Sequence, residues 1–543
     1  MALPRREFLT GMLGAAVAES ACRRGAFHVP GEIRGASVDV GHLLREPPHV
    51  ADATEVHDVP VVVVGGGPSG LAAAWRLRRL GHEGVVVLDL EPRVGGTSLY
   101  GTDGVVSYPW GAHYVPVPRR ENVSLLALLR EMGAITGEDD AGRPILAEDV
   151  VVRDPEERVF FEGLWYEGLY PRVGASAKDT QDLAAFQKLV DDFTTFRDAK
   201  GRRAFEIPME RGTDDSSITD LDRISMAAWL AQKGLTSARL LWLVDYACKD
   251  DYGLRAVDTS AWAGLFYFAS RVDKPGSEAA DLFAWTNGNG RFVEHFESVV
   301  RADLRPRHLV LDINEEEGFV SVLAMRLPEK TVIRYRAQRV VCATPKFITA
   351  RIVRSLRETK PAHLAAFQYG AWMVANLHLS GHPRSRGAPL SWDNVLYKSP
   401  SLGYVVATHQ DHVDLGPTVL TYYYPYTDSD PRQGRERLFS EGHAALADAV
   451  LADLVPAHDD LEKRVTRLDV VRWGHAMTQP RVGFVWSGAR EKASLAVGRV
   501  HMAHSDLSGL ALFEESLHHG VRAAEEVFAA LYPDRAKSFP RLG

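Results

Sequence analysis

Three glycines near position 65 have the spacing of a loop that binds phosphate groups. Gly65, Gly67 and Gly70 fit the pattern G-x-G-x-x-G, and they follow the apolar run VVVV at 61–64. Glycine there allows a tight turn, a close approach of the backbone to a pyrophosphate, and close packing of a helix on a strand. The first N–H groups of such a helix, together with its dipole, favour an anion. The carboxylate of Asp89, 19 residues after Gly70, can accept hydrogen bonds from ribose hydroxyls.

The residues around this loop predict the strand–helix–strand unit that would position it. Residues 61–64 are β-branched and apolar, as in a strand buried on both faces, and LAAAWRLRRLG after Gly70 predicts a helix. A second apolar run, VVVLD, ends at Asp89. This order within about 30 residues predicts a Rossmann-type dinucleotide-binding domain, with FAD and NAD both open at this point. The cofactor-binding residues predicted in this unit are Gly65, Gly67, Pro68, Ser69, Gly70, Asp89 and Leu90.

Length and composition indicate a globular protein with more than one domain. A chain of 543 residues is too long for one hydrophobic core, and 45% hydrophobic with 25% charged residues is ordinary for globular proteins. The net charge of −8 and the short, interrupted arginine runs argue against nucleic acid as a partner. The three cysteines form no CxxC pair, and no metal site is predicted. No run of 18 apolar residues follows the N-terminus, so we expect no membrane-spanning segment after it.

The N-terminus, MALPRREFLTGMLGAAVAESACRRG, resembles a bacterial twin-arginine export signal. The pair Arg5-Arg6 is followed by a weakly apolar stretch rich in Gly and Ala. We expect a signal peptide over residues 1–22, a linker over 23–56, and export to the periplasm. Cys22 would be the site of a lipid anchor if one is attached. The alternative interpretation is a basic tail.

Three further stretches resemble the superfamily of flavin-dependent amine oxidases, phytoene desaturases and protoporphyrinogen oxidases. They are RVGGT after the second strand, WGAHY at 110–114, and GRVHMAHSDLSGLALFEESLHHGVRAAEEV near the C-terminus. The resemblance covers most of residues 57–535 and implies FAD as the cofactor. It implies a glycine pair beside the phosphates, WGAHY against the flavin ring, a helix from about Leu512 at the polar edge of the ring, and a backbone contact to the adenine. The residues that it adds to the cofactor site are Arg93, Gly95, Gly96, Thr97, Gly111, Ala112, His113, Val310, Ser505, Asp506 and Gly509.

Two positions depart from the pattern of this superfamily. Thr97 stands where an arginine usually follows the glycine pair. The usual Ala-Gly-acid is replaced by Ala-His504-Ser-Asp506, which displaces the acid by one position. RVVCATP at 339–345 still resembles the returning strand of the family. The departures leave FAD as the predicted cofactor but leave the geometry near the flavin open.

The predicted fold class is α/β, with a Rossmann-type FAD-binding domain assembled from discontinuous segments and a mixed α+β substrate domain. LHLSG, LSWDNVLY, GYVVATHQ and TVLTYYYPY predict strands of a sheet that covers the flavin. Ligands of such two-domain proteins lie between the domains. The predicted FAD-binding segments are 57–118, 285–352 and 466–535, and the predicted substrate-domain segments are 119–284 and 353–465.

Oxidation of an amine by FAD requires orientation of the reacting carbon and exclusion of water more than it requires a strong base. Aromatic walls bind the amine in the amine oxidases that this chain resembles. On a strand, TYYYPY would place Tyr422 and Tyr424 on one face and Tyr423 on the other. A histidine near the flavin could carry a proton. The predicted catalytic residues are Tyr422, Tyr424, Trp473 and His504.

The leading hypothesis is an exported FAD-dependent oxidoreductase that acts on a small molecule, with an amine favoured as substrate. The electron acceptor, O2 or another, is left open. One alternative is a desaturase of an isoprenoid or lipid-like substrate, which would need an apolar tunnel. A different class is a non-catalytic FAD-binding protein, which the departures at Thr97 and His504 keep open. An NAD enzyme would leave the glycine pair and the C-terminal helix unexplained.

Overall fold

A computed structural model describes most of the chain. The predicted signal peptide, with Arg5, Arg6 and Cys22, lies outside the described residues. Every helix in the described part is too short or too polar to span a bilayer. The described residues are 27–46, 53–140, 142–276, 281–411 and 415–543.

The strands of the described residues form two large sheets and three two-stranded ones. In chain order they are β1 (Ile33–Gly35), β2 (Glu55–Val64), β3 (Val85–Leu88), β4 (Tyr100–Thr102), β5 (Ser107–Pro109), β6 (Tyr114–Pro116), β7 (Ile135–Glu138), β8 (Pro144–Leu146), β9 (Glu157–Phe161), β10 (Leu164–Glu167), β11 (Leu282–Ala284), β12 (Leu304–Arg305), β13 (His308–Glu316), β14 (Phe319–Arg326), β15 (Thr331–Cys342), β16 (Tyr369–Leu379), β17 (Asp393–Leu396), β18 (Gly403–Val406), β19 (Thr418–Pro425), β20 (Val465–Thr478) and β21 (Val500–Met502).

Helices separate the strands and pack on both large sheets. In chain order the α-helices of the described residues are α1 (Val38–Gly41), α2 (Pro68–Arg79), α3 (Val123–Glu131), α4 (Ala177–Thr195), α5 (Ser216–Thr219), α6 (Met226–Gln232), α7 (Ala238–Tyr252), α8 (Ala261–Ser270), α9 (Gly290–Val300), α10 (Lys346–Ile352), α11 (Arg354–Thr359), α12 (Pro431–Ser440), α13 (His443–Leu454), α14 (Leu461–Arg464), α15 (Ala489–Ser494), α16 (Phe513–Leu531) and α17 (Pro533–Ala536).

The seven-stranded sheet contains the predicted Rossmann unit. Its order is β12-β3-β2-β15-β14-β13, and β21 pairs with the end of β15. Strands β3, β2, β15 and β21 are parallel neighbours, so their carboxyl ends meet at one edge, where ligands bind in this class of fold. The predicted strands of this unit and the C-terminal helix near Leu512 are present, and the helix predicted after Gly70 begins two residues earlier, at Pro68.

The eight-stranded sheet has the order β1-β20-β16-β19-β18-β17-β9-β10 and is mostly antiparallel. Its two faces pack against different helices. One face packs against α13 through a cluster that includes Tyr422 and Val450. The other face contributes Tyr423 and Trp392 to a cluster with Tyr246 of α7. The second face is the one that meets the WGAHY loop.

The domain division differs from the predicted one at three points. Strand β20 belongs to the eight-stranded sheet, although the predicted FAD-binding segment starts at 466. Helix α3, predicted in the substrate domain, packs with α2 and α16 in the core of the dinucleotide domain. Residues 33–45 of the predicted linker are folded, since β1 pairs with β20 and a helical stretch follows it. Local hydrophobic patterns predict strands and helices but do not specify which sheet or core they join.

Candidate functional site

The glycine loop after β2 combines two glycines that permit tight packing with one that faces open space. Gly65 has φ +100°, and a Cβ added there would lie 2.8 Å from the Ala343 oxygen. A Cβ added at Gly70 would lie 1.8 Å from the Gly65 oxygen, so helix and strand touch at this point. A Cβ added at Gly67 would meet only the Gly96 Cα, 4.0 Å away. These three arrangements agree with the turn, the helix packing and the phosphate approach predicted for the motif.

A second glycine pair forms the opposite wall of this cradle. Gly96 has φ +55°, and a Cβ added there would lie 3.2 Å from the Gly67 Cα. The Gly95 N–H donates to the Gly66 oxygen at 2.8 Å, which fixes the two loops together. Gly67 caps α2 without a side-chain bond, and Pro68 occupies the first turn. The free N–H groups of α2 and the bare glycine backbones fit a pyrophosphate.

Asp89 lies at the end of β3, beside the cradle. Its Oδ2 accepts from the Gly66 N–H at 2.5 Å and its Oδ1 from the Glu91 N–H at 2.7 Å. Burial raises the pKa of Asp89 to about 6 despite these hydrogen bonds. Each carboxylate oxygen keeps a further lone pair, so a ribose hydroxyl can still be accepted. The His308 N–H donates to the Asp89 carbonyl, a contact that sequence reasoning missed, and Val310 is buried two residues further along β13.

Two predicted cofactor residues use their side chains elsewhere. The Ser69 Oγ donates to the Ser516 carbonyl at 2.8 Å and joins α2 to α16. Arg93 is exposed, donates to the Tyr100 carbonyl at 3.2 Å and lies 4.8 Å from the centre of that ring. These side chains therefore stabilise the fold around the cradle, and the prediction that Ser69 and Arg93 bind the cofactor stays a prediction. Their backbones remain in the loops that carry the predicted phosphate contacts.

The WGAHY loop packs directly on the loop that carries the glycine pair. The Ala112 N–H donates to the Thr97 carbonyl at 3.1 Å. A Cβ added at Gly111 would lie 2.5 Å from the same carbonyl oxygen. Glycine is therefore required at 111 because the two backbones touch. The fold thus brings Thr97 next to residues 111–113, as the resemblance implied.

Two aromatic side chains of the eight-stranded sheet hold the WGAHY loop. The Trp473 Nε1 donates to the Trp110 carbonyl at 2.7 Å. The Tyr423 Oη donates to the Gly111 carbonyl at 2.9 Å. Trp473 is thus next to the loop predicted to line the flavin ring. Its catalytic role stays a prediction.

The neighbouring tyrosines of β19 face the other way. The Tyr422 Oη donates to Asp453 at 2.9 Å, and Tyr424 lies against Tyr426, with ring centres 5.1 Å apart. Both belong to the cluster on the α13 face of the sheet. The alternation predicted for TYYYPY is correct, and it places Tyr422 and Tyr424 on the face opposite the WGAHY loop. Their catalytic role stays a prediction. A period of two does not specify which face of a strand meets the ligand.

His113 is surrounded by aromatic rings. Its ring centre lies 4.9 Å from that of Tyr423, 5.4 Å from that of Trp392 and 5.0 Å from that of Tyr114. Burial lowers the pKa of His113 to about 4. The imidazole is therefore neutral at pH 7, and this group of rings presents an aromatic wall without a positive charge. We name these four residues the aromatic wall.

Two partly buried acids, Asp250 and Asp393, lie near the aromatic wall and act electrostatically on Tyr423. The Tyr246 Oη donates to the Asp393 Oδ2 at 3.4 Å, and burial followed by the Asp250 charge raises the pKa of Asp393 well above its usual range. Burial and the neighbouring Asp251 raise the pKa of Asp250 to about 7. Asp251 pairs with Arg271 at 2.8 Å, whereas Asp250 has no hydrogen bond or ion pair within the described residues. Asp250 and Asp393 follow no local motif, so sequence reasoning missed them.

The C-terminal loop places Asp506 at the end of β21. Its Oδ2 accepts from the Tyr369 Oη at 2.5 Å and from the Lys346 N–H at 2.8 Å, and its Oδ1 lies 3.0 Å from the His504 Nδ1. Burial alone would raise the pKa of Asp506, but His504 and these hydrogen bonds hold it below the usual range. Both oxygens thus have protein partners. The predicted contacts of Ser505 and Asp506 with FAD stay predictions.

Gly509 and the first turn of α16 follow the Asp506 loop. Gly509 has φ +70°, and a Cβ added there would lie 2.9 Å from the Arg490 Cδ and 3.0 Å from the Phe484 Cε1. Glycine is therefore required at 509 for a turn and for protein packing, and its contact with the cofactor stays a prediction. Glu514 and Glu515 occupy the first turn of α16. Burial raises the pKa of Glu514 to about 7.

Strand β20 lies between the two loops that come from opposite ends of the chain. Trp473 meets the 110–114 loop, as described above. Two residues later, the centre of the His475 ring lies 5.9 Å from that of Tyr369, which bonds Asp506. The pairing of β20 with β16 thus links the WGAHY loop to the Asp506 loop. The prediction that both face one cofactor is compatible with this arrangement and stays a prediction.

Comparisons with known proteins agree with this geometry. Residues 63–132 match the NAD(P)-binding Rossmann-like domain. The chain is 23% identical to oxidoreductase PigB of Serratia sp. over 529 residues, covering 87% of this chain and 75% of PigB. It is 29% identical over 199 residues to flavin-containing monoamine oxidase AofH of Mycobacterium tuberculosis, covering 36% of this chain and 38% of AofH. A putrescine oxidase structure superposes with a TM-score of 0.63 at 18% identity, covering 87% of this chain and all of that one.

These similarities bear on the predictions at different levels. The Rossmann-type domain and the α/β fold class are confirmed. The resemblance to flavin-dependent amine oxidases is confirmed as well, and the relatives are oxidoreductases, including a flavin-containing one. At 18% identity the structural match shows the shared fold. The substrate, the electron acceptor and the location in the cell follow from none of these comparisons.

Proposed function

We propose that this protein is an FAD-dependent oxidoreductase that oxidises a small amine. One juxtaposition carries the proposal. The glycine cradle at Gly67 and Gly96 continues through Thr97 into the WGAHY loop. That loop contributes His113 and Tyr114 to the aromatic wall, and two partly buried acids, Asp250 and Asp393, lie near the wall. A dinucleotide bound in the cradle would thus extend toward an aromatic and acidic surface. The relatives that are amine oxidases support the same interpretation.

The residues present fit the adenosine and pyrophosphate part of FAD. The open space at Gly67, the free N–H groups of α2 and the carboxylate of Asp89 would hold the phosphates and the ribose. The 111–113 backbone and Trp473 would lie beside the ring. When bound, FAD accepts a hydride equivalent at N5, which is the redox chemistry that the protein itself lacks.

The chain's own residues would bind the amine and exclude water. The rings of Tyr423, Trp392 and Tyr114 form an apolar surface, and neutral His113 adds no repulsion toward a cation. Asp250 has no protein partner in the described residues, so its carboxylate is free to pair with an ammonium group. Arg271 is already paired with Asp251, so an amine substrate would bring a second positive charge to this pair of acids.

The alternatives predict different surroundings for the substrate. A desaturase of an isoprenoid or lipid-like substrate would need an apolar tunnel, whereas this surface carries Asp250, Asp393 and the Tyr246 hydroxyl. A non-catalytic FAD-binding protein would tolerate the departures at Thr97 and His504. It would not require an acid without a partner beside the aromatic wall.

The test is spectroscopic. Purified protein is expected to show the flavin absorbance bands and to release FAD on denaturation. Anaerobic mixing with a panel of amines, amino acids and polyenes should bleach the flavin with an amine and not with a polyene. Bleaching by polyenes alone would favour the desaturase, and no bleaching by any compound would favour the non-catalytic alternative. Protein that is colourless and takes up no added FAD would contradict the proposal.

We also propose export to the periplasm by the twin-arginine route, on the basis of the N-terminal sequence. Replacing Arg5 and Arg6 together by lysine should block export and leave folded, FAD-containing protein in the cytoplasm. Cell fractionation with detection of the mature chain measures the result. Normal amounts of the doubly substituted protein in the periplasm would contradict this proposal. Replacing Cys22 by serine in the exported protein tests separately for a lipid anchor.

A further inference from the structure

The segment that precedes the Rossmann unit is bound to the eight-stranded sheet. We name residues 33–45 the N-terminal strap. Its β1 runs parallel to β20, with Ile33 opposite Val470 and Gly35 opposite Arg472. Just before it, the Phe27 N–H donates to the Asp448 Oδ1 at 2.8 Å. The strap is thus attached at its start to the sheet that covers the proposed substrate surface.

The strap contacts the loop at the flavin end of the proposed site. The Arg34 guanidinium lies 5.5 Å from the centre of the Trp110 ring, in the range of a cation–π contact. The Arg34 Nε is 3.4 Å from the Asp469 Oδ2, which holds the guanidinium in place. Trp110 immediately precedes Gly111, whose backbone is predicted to line the ring. The strap therefore contacts the WGAHY loop.

The strap also contacts the loop at the adenosine end. The Ser37 N–H donates to the Glu91 Oε1 at 2.8 Å, and the Ser37 Oγ donates to the Glu91 Oε2 at 2.7 Å. The Glu91 N–H in turn donates to the Asp89 Oδ1. A Cβ added at Gly41 would lie 3.7 Å from the Leu90 Cδ2, so the strap packs on the residue next to Asp89. Leu44 is buried and anchors the end of the strap.

We propose that the N-terminal strap is part of the FAD site and slows release of the bound cofactor. It is joined both to the loop that carries Asp89 and to the loop that carries Gly111, which lie at the two ends of the proposed cofactor. Ser37 and Glu91 are positioning residues: Ser37 fixes Glu91, and the Glu91 N–H orients the Asp89 carboxylate. The proposal rests on the proposed FAD-dependent function.

The experiment measures the rate of FAD release from the full-length holoprotein. The variants are Ser37→Ala, which removes one of the two bonds to Glu91, and Glu91→Ala, which removes both. The fluorescence increase of FAD after dilution gives the rate. Glu91→Ala is expected to release FAD about tenfold faster or more, since hydrogen bonds to a charged group are the stronger class. Ser37→Ala should show a smaller increase in the same direction, and Ser37→Thr should restore the slow rate.

Asp448→Ala is the matched control, because it removes the acceptor of the Phe27 N–H, a bond of the same N-terminal segment outside the Asp89 and Gly111 loops. It should release FAD at the wild-type rate. Melting temperatures with and without FAD separate a cofactor effect from general destabilisation: in Glu91→Ala the increase that FAD produces should shrink.

Wild-type release rates in both Ser37→Ala and Glu91→Ala would overturn the proposal. Equal acceleration in Asp448→Ala would overturn it too, because a general loss of stability would then explain the result. If Glu91→Ala fails to fold, Ser37→Ala and its threonine counterpart decide the question. Absence of FAD from the wild-type protein would instead contradict the proposed function.

Discussion

The two ends of the proposed site differ in what forms their walls: backbone at the dinucleotide end and side chains at the substrate-facing end. At the dinucleotide end the wall is backbone: Gly67 and Gly96 face each other, and the N–H groups of α2 point into the space between the loops. At the substrate-facing end the wall is side chains, with the rings of His113 and Tyr423 in contact and Asp250 near Tyr423. At Gly67 the space left by the missing side chain is the space proposed for the phosphates, so a side chain there should remove FAD binding altogether. A substitution in the side-chain wall removes one contact and leaves the others, so each one should reduce binding or activity only in part.

The largest expected effect is at the backbone wall. Gly67→Val should abolish FAD retention, because the new side chain would fill the space between the two glycine loops. The measurement is the ratio of flavin to protein absorbance after purification, followed by titration with added FAD. We expect no bound FAD and no uptake in the titration.

Gly442→Val is a closely matched control for this substitution. Gly442 also precedes a helix, with φ −79° and ψ 168° against φ −74° and ψ −178° for Gly67, and a Cβ added there meets nothing within 4 Å. It should keep a full complement of FAD. Equal FAD content in both variants would refute the role of the glycine cradle.

The next largest effect is expected at Asp250. Asp250→Asn keeps the size of the side chain but removes the charge proposed to attract an ammonium group. We expect KM for an amine to rise about tenfold or more, as for loss of a hydrogen bond to a charged group, with FAD content unchanged. Steady-state kinetics with an amine identified by flavin bleaching measures the effect. Asp192→Asn, on the exposed side of α4, is the control and should leave KM unchanged.

The pH dependence of KM sharpens this prediction. The pKa of Asp250 is raised to about 7, so the carboxyl loses its charge as the pH falls through that value. In the wild-type protein KM should therefore rise as the pH falls below 7. In Asp250→Asn this part of the pH dependence should vanish, because the amide does not titrate. A pH profile unchanged by the substitution would show that Asp250 does not bind the substrate.

The part of the site that is formed by backbone was predictable from the sequence, because each of its structural requirements is met by a glycine. Gly65, Gly67 and Gly70 serve the turn, the phosphate approach and the helix packing, and all three requirements act within a few residues. Gly509 is different. Its positive φ and its contacts with Arg490 and Phe484 require glycine for packing, and the sequence alone does not distinguish such a glycine from one that approaches a ligand.

The side-chain-built part was not predictable, because its members come together only in the folded chain. Asp250 lies in the last turn of α7 and Asp393 begins β17, and neither position has a local pattern that distinguishes it from an ordinary acid. For β19 the period of two predicted which tyrosines share a face. Which face meets the WGAHY loop depends on the packing of α13 on the other side of the sheet.

The smallest expected effect compares two neighbouring tyrosines on opposite faces of β19. Tyr423→Phe keeps the ring beside His113 but loses the hydrogen bond from Oη to the Gly111 carbonyl. Such a bond contributes about 1 kcal/mol, so we expect roughly a fivefold weakening of FAD affinity or of kcat/KM. Tyr424→Phe also removes one tyrosine hydroxyl, but on the α13 face, and it should change neither quantity measurably. It therefore controls for any effect of the substitution on folding. Flavin titration and amine kinetics on the two variants give the comparison. If Tyr424→Phe had the larger effect, the side of the sheet assigned here to the substrate would be wrong, and the aromatic wall with it.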